Sequence, residues 1–218
     1  MDRRLFIAGG VALVGLGGAA LLTQGSGTGS DLLVGMANAQ TADADPSAIT
    51  DMVLGSDDAP VKITEYASYT CPHCANFHTS LFPQIKEMID AGQVQFTYRE
   101  VYFDRFGLWA SMVARCGGQD RFFAISDLIY EKQREWTASG DPATMVEELR
   151  KYGKMAGLDD AALDVCMQDA DMAQNLVAWF EENSAADNVT STPTFFINGE
   201  RLQGNWASEL MPAIEAAL

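Results

Sequence analysis

The sequence predicts an α/β fold in which a βαβ unit and a ββα unit are separated by a large all-helical insertion. Three observations predict it. Residues alternate with period two over Val61–Ala67 and Gln93–Phe103, the pattern of half-buried strands, and the chain returns to strand at Thr194–Ile197. Between Gly107 and Asn188 the periodicity is helical instead, over about 80 residues, far beyond an ordinary connection. Finally, Cys71-Pro72-His73-Cys74 stands just after the first strand, where a helix should open.

The elements follow in order. Gln40–Asp51 is rich in Ala, Asp and Thr, and residues 40–54 read as a flexible lead-in with structure beginning near Met52. Gly55-Ser56-Asp57-Asp58-Ala59-Pro60 is a turn cluster. Strand Val61–Ala67 sets Val61, Ile63, Glu65 and Ala67 on one face, placing a carboxylate in line with core residues. Pro72 to Ala91 reads as one helix, kinked by Pro83 and ended by Gly92. Strand Gln93–Phe103 alternates through Val94, Phe96, Tyr98 and Glu100. Helices Leu108–Cys116, Arg121–Trp136, Ala143–Ala156, Asp160–Gln168 and Met172–Ala186 come next. Gly117-Gly118 breaks the first, Asp141-Pro142 opens the third as N-cap and N1, and Leu158-Asp159 caps the fourth. Asn198-Gly199 is a type I′ pair joining Thr194–Ile197 to Glu200–Gln203, and Ala207–Leu218 closes as a helix. Residues 55–106 with 189–218 are thus expected to form one domain, and residues 107–188 the helical insertion.

With 218 residues, 48 % of them hydrophobic, the chain can bury a sizeable core. A formal charge of −16 excludes nucleic acid as a partner, because phosphate binding needs clustered Lys and Arg. Residues 1–39 are set apart. Asp2-Arg3-Arg4 precedes an apolar, Gly-rich run from Leu5 to Leu22, and Ala37-Asn38-Ala39 offers a small-x-small cleavage site, the layout of an export signal. Arg3-Arg4-Leu5-Phe6 also has the form of a twin-arginine signal. The alternative is an uncleaved N-terminal membrane anchor. Both lead out of the cytoplasm, where disulfides persist. Four cysteines allow three pairings, and the close pair Cys71 and Cys74 leaves Cys116 with Cys166.

Cys71-Pro72-His73-Cys74 carries the chemistry. Proline suits the first turn of a helix, so Cys71 falls at the helix N-terminus, where unpaired N–H groups and the dipole favour an anion. His73 adds a further possible positive charge. All of this stabilises a thiolate, the reactive form of cysteine. Cys71 is expected to be exposed and to attack; Cys74, one turn deeper, is expected to resolve. His78, a turn beyond Cys74, reads as a plain helix-surface residue. Haem attachment would need His directly after Cys74, where Ala75 stands, and zinc would need ligands less dispersed than Cys116 and Cys166. No cofactor or metal is expected.

These features together resemble the DsbA-like thiol–disulfide oxidoreductases of the bacterial periplasm, built on the thioredoxin fold. The resemblance covers Met52 to Leu218 and rests on the export signal, Cys71-Pro72-His73-Cys74 after a strand, the helical insertion, and Ser191-Thr192-Pro193-Thr194 before the hairpin. It implies a cis Thr192–Pro193 bond in a loop that presents backbone to an extended substrate. It implies that Glu65, six residues before Cys71, is a buried acid assisting proton transfer at Cys74. It further implies a structural Cys116–Cys166 bridge, reduced unfolded polypeptides as substrates, and a quinone-linked, DsbB-like membrane protein as reoxidant. The isomerases of this group usually carry an N-terminal dimerisation domain; residues 40–54 are too few for one, so a monomer is expected. The competing activities are a periplasmic reductase or isomerase, and a peptide-binding chaperone on the same fold.

Overall fold

A computed structural model describes residues 44–218; the export-signal expectation for residues 1–39 lies outside them. Strands β1 (Met52–Leu54), β2 (Val61–Ala67), β3 (Val94–Glu100), β4 (Thr194–Ile197) and β5 (Glu200–Arg201) form one sheet in the order β1-β3-β2-β4-β5. Strands β2 and β3 are parallel, which requires a crossover, supplied by α1 (Pro72–Ser80) and α2 (Phe82–Asp90). The remaining neighbours are antiparallel. Helices α3 (Arg105–Cys116), α4 (Gly118–Glu131), α5 (Gln133–Trp136), α6 (Pro142–Met155), α7 (Asp160–Met167) and α8 (Ala170–Ala186) lie between the two units, and α9 (Trp206–Ala217) closes the chain. This is the thioredoxin-like architecture with a helical insertion.

Several boundaries differ from expectation, each for a local reason. The expected helix from Pro72 to Ala91 is two helices. Pro83 has no N–H for the carbonyl of Thr79, so the break falls at Leu81, which caps both α1 and α2 and leaves Pro83 in the first turn of the second. The expected helix Arg121–Trp136 likewise divides at Lys132 into α4 and α5. Strand β1 and a 3-10 turn at Pro46–Ala48 fall in the segment read as a flexible lead-in. Three residues cannot show an alternation, and β1 exists because Met52, Val53 and Leu54 pair with Tyr98, Thr97 and Phe96. Strand β3 stops at Glu100 and β5 at Arg201, short of Phe103 and Gln203.

Helix starts follow side-chain chemistry. Asp104, Asp141, Asp159, Asp169 and Asn205 each accept a hydrogen bond from an N–H of the first turn that has no helical partner. The helix α1 side of the sheet buries Ile63, Phe96, Tyr98 and Phe195, with the Phe77 ring 4.7 Å from that of Phe195 and the Phe82 ring 4.6 Å from that of Phe96. On the opposite face Arg99 lies against the rings of Tyr66 and Trp179 and pairs with Asp51 through two bonds of 2.9 Å.

Within the insertion, helices approach closely around Gly153 of α6. A Cβ there would stand 2.9 Å from Leu163 Cδ2 and 3.3 Å from Val113 Cγ1, which only glycine avoids. A disulfide joins Cys116, the last residue of α3, to Cys166 of α7, as expected. The two cysteines are 50 residues apart. Replacing both by alanine releases that loop in the unfolded chain and is expected to lower stability by about 4 kcal/mol. A fall in the urea midpoint checks this; an unchanged midpoint contradicts it.

Candidate active site

Strand β2 carries the chain past Glu65 to a turn in which the Cys71 N–H donates to the Ser68 carbonyl at 3.0 Å. Cys71 is extended (φ −82°, ψ 119°) and is the N-cap of α1, with Pro72 opening the helix. The sulfur therefore sits where the first N–H groups of the helix have no helical acceptor. Both Cys71 and Cys74 are unlinked thiols in this structure. Cys71 is more covered than expected, with 8 % of the residue exposed. Part of the cover is the loop before β4, whose Thr192 carbonyl accepts a hydrogen bond from Cys71 Sγ at 3.5 Å. The Thr192–Pro193 bond is cis, in agreement with the resemblance.

The two thiols are displaced in opposite directions. A hydrogen bond from the Cys74 thiol, together with the Thr192 side chain and the N–H groups of Cys74 and His73, outweighs partial burial and pulls Cys71 down to about 5 from the ordinary 9.0. The Thr192 hydroxyl is buried and has no partner in the dithiol form, so it is available to the thiolate. Cys74 is wholly buried, and burial first, then the neighbouring Cys71 and Glu65, pushes its thiol well above the usual range. The surroundings thus favour a thiolate at Cys71 and a thiol at Cys74.

Glu65 is fully buried, as the strand alternation predicts, between Tyr98 of β3 and Phe195 of β4. Burial raises its pKa, and His78 opposes that rise. His78 departs from its reading as a surface residue: it is 6 % exposed and its Nε2 lies 2.8 Å from Glu65 Oε2. Its position explains this. His78 follows Cys74 by four residues on α1, so it shares the inward face with Cys74 and Phe77. The spacing was available in the sequence as the signal. His73, by contrast, is exposed and contributes its backbone N–H.

One supporting residue had no signal. Gln133 of α5 is buried, and its Nε2 donates to the carbonyls of Tyr69 (2.8 Å) and Cys71 (2.9 Å). The insertion thereby fixes the turn that presents the reactive sulfur. Beside Pro72, a cleft of about 640 Å³ runs between α1 and the insertion, lined in part by Thr70, Asn76, Phe106, Arg134 and Met145. Among the described residues no group of three or more His, Cys, Asp or Glu side chains converges as a metal site would require.

Known proteins are similar to this chain. Residues 47–216 match the family described as thioredoxin. Disulfide bond formation protein D of Bacillus subtilis is 30 % identical, the match covering 79 % of each protein. A protein of Rickettsia bellii is 31 % identical over 77 % of this chain, but the match spans only 64 % of the length of that relative. Among solved structures, that of Wolbachia pipientis alpha-DsbA1 superposes with a TM-score of 0.67 at 27 % identity, covering 77 % of this chain and 89 % of the other.

Proposed function

The chain belongs to the thioredoxin family, in its DsbA-like branch, and from that membership we propose that it oxidises reduced, newly exported polypeptides with its Cys71–Cys74 disulfide. The observation that carries this reading is the opposite displacement of the two thiols. A dithiol whose outer sulfur prefers to be a thiolate is stabilised in its reduced form, and its disulfide is correspondingly oxidising. With Cys71 near 5, the thiolate is favoured about a hundredfold at pH 7, which is expected to raise the potential by about 60 mV over that of a pair with an ordinary thiol.

The reaction runs in two exchanges. A substrate thiolate attacks Cys71 Sγ; a substrate–Cys71 bond forms, the Cys71–Cys74 bond breaks, and Cys74 leaves as a thiolate that takes up a proton. A second substrate thiolate then attacks the substrate sulfur and expels Cys71 as the stabilised thiolate. Two electrons have passed to the enzyme, and the substrate holds a new disulfide. Pro72 sets the helix start, and the loop of Thr192 and Pro193 offers backbone against which an extended polypeptide docks. Turnover requires removal of those electrons, for which a quinone-linked, DsbB-like membrane protein is the fitting acceptor. A monomer working in the periplasm fits this reading.

Oxidised protein mixed with reduced, unfolded ribonuclease should restore native disulfides and ribonuclease activity; no restoration overturns the proposal. Thiolate absorbance should titrate with a midpoint near 5. Reduced protein should also gain stability as pH rises from about 5 toward 9, because the unfolded Cys71 thiol still holds its proton there while the folded one does not. Above about 9 the buried Cys74, which stays protonated, opposes the gain. The oxidised protein has neither thiol, so its melting temperature is the internal control.

A further inference from the structure

Two buried ionisable side chains lie behind the cysteines, and only one of them has an assigned task. Glu65 and His78 meet at 2.8 Å, with side-chain exposures of 0 % and 1 %. Each keeps its second polar atom, Glu65 Oε1 and His78 Nδ1, buried with no partner. Such atoms are costly unless they act. The His78 ring is also held rigidly, stacked on Tyr130 at 4.0 Å with the planes 9° apart and edged by Phe77, Phe82 and Tyr98.

The titratable groups facing the pair are Cys71 and Cys74 of α1, Tyr69 of the preceding turn, Tyr98 of β3 and Tyr130 of α4, while β4 and α2 present Phe195 and Phe82. None of these is cationic. An anionic Glu65 beside an uncharged His78 would leave a buried charge uncompensated even with the disulfide closed, and with Cys71 a thiolate it would be the second in the same dry space. A single proton shared along the 2.8 Å contact removes it.

We propose that His78 is a positioning residue which, through Glu65, holds the proton that Cys74 takes up when the Cys71–Cys74 disulfide opens and returns when it closes. The inference rests on the reading of Cys71 and Cys74 as the redox pair. On opening, the Cys71–Cys74 bond breaks, Cys71 bonds to the incoming sulfur, and the Cys74 thiolate receives the shared proton, leaving the pair anionic until water resupplies it. On closing, with Cys71 held in a mixed disulfide and the proton of the pair released to water, the Cys74 thiol gives its proton to the anionic pair and attacks Cys71, expelling the other sulfur.

The test is the rate at which dithiothreitol opens the disulfide, corrected for ionisation of the reductant, followed against pH. His78→Gln keeps an N–H donor for Glu65 but cannot share the proton. It is expected to slow opening on the order of tenfold and to shift or erase the inflection in the wild-type profile. In a Glu65→Gln background the same change should have no further effect, because His78 acts through Glu65. An unchanged profile, or an equal fall in both backgrounds, overturns the proposal; His78→Asn is the second variant should His78→Gln not fold. Dithiothreitol exchange does not depend on the direction of the cellular reaction. A wild type that fails to oxidise ribonuclease yet shows this coupling would therefore remove the oxidase reading and leave the pair.

Discussion

Cys71→Ser protein is expected to transfer no disulfides to reduced ribonuclease, with activity down by about a thousandfold or more, to the uncatalysed level. Serine fills nearly the same space at the N-cap of α1, so the fold and its melting temperature should survive. The complementary Cys74→Ser change leaves the attacking sulfur in place and removes the one that leaves and returns. Supplied with Cys71 as a mixed disulfide to a small thiol, this variant should pass one disulfide to substrate and then stop, because no Cys71–Cys74 disulfide can form again. Equal activity of either variant and the wild type would place the chemistry elsewhere, including on Cys116 and Cys166.

The largest stability effect is expected at Arg115. Its guanidinium bonds Glu100 through Nε at 2.6 Å and Nη2 at 2.8 Å, with side-chain exposures of 6 % and 1 %, and Nη1 reaches the Thr50 carbonyl at 3.1 Å. The pair ties the end of β3 to α3, one residue before the disulfide. Arg115→Ala strands a buried carboxylate and should cost about 3–5 kcal/mol. Removing both charges should cost far less, since a buried pair repays little beyond its own desolvation. Chemical denaturation of Arg115→Ala beside Arg115→Leu/Glu100→Leu checks this. Similar losses in the two proteins would mean that packing of the arginine stem, not the abandoned charge, sets the cost.

What could be read in advance was local. Cys71 as N-cap and Pro72 as first helical residue follow from two adjacent residue types, and the inward turn of Glu65 from period two in one strand. The cysteine pairing follows from counting. What escaped depends on partners distant in the chain. Strand β1 is a strand only because β3 is beside it. His78 lies between these cases: its spacing from Cys74 was visible, but its burial required a carboxylate placed by a different element. Pro193 was legible as a loop proline, and its cis geometry only through resemblance.

The two hydrogen bonds from Gln133 bear on transplantation. Cys-Pro-His-Cys could be written into a smaller thioredoxin-like scaffold with four substitutions, and the helix N-terminus would travel with it. The amide that holds the carbonyls of Tyr69 and Cys71 would not, because it belongs to α5 in the insertion. A grafted motif would leave those two acceptors to water, and the turn that aims the sulfur would loosen. The reactive tetrapeptide is portable; the tension that keeps it aimed is a property of the whole chain.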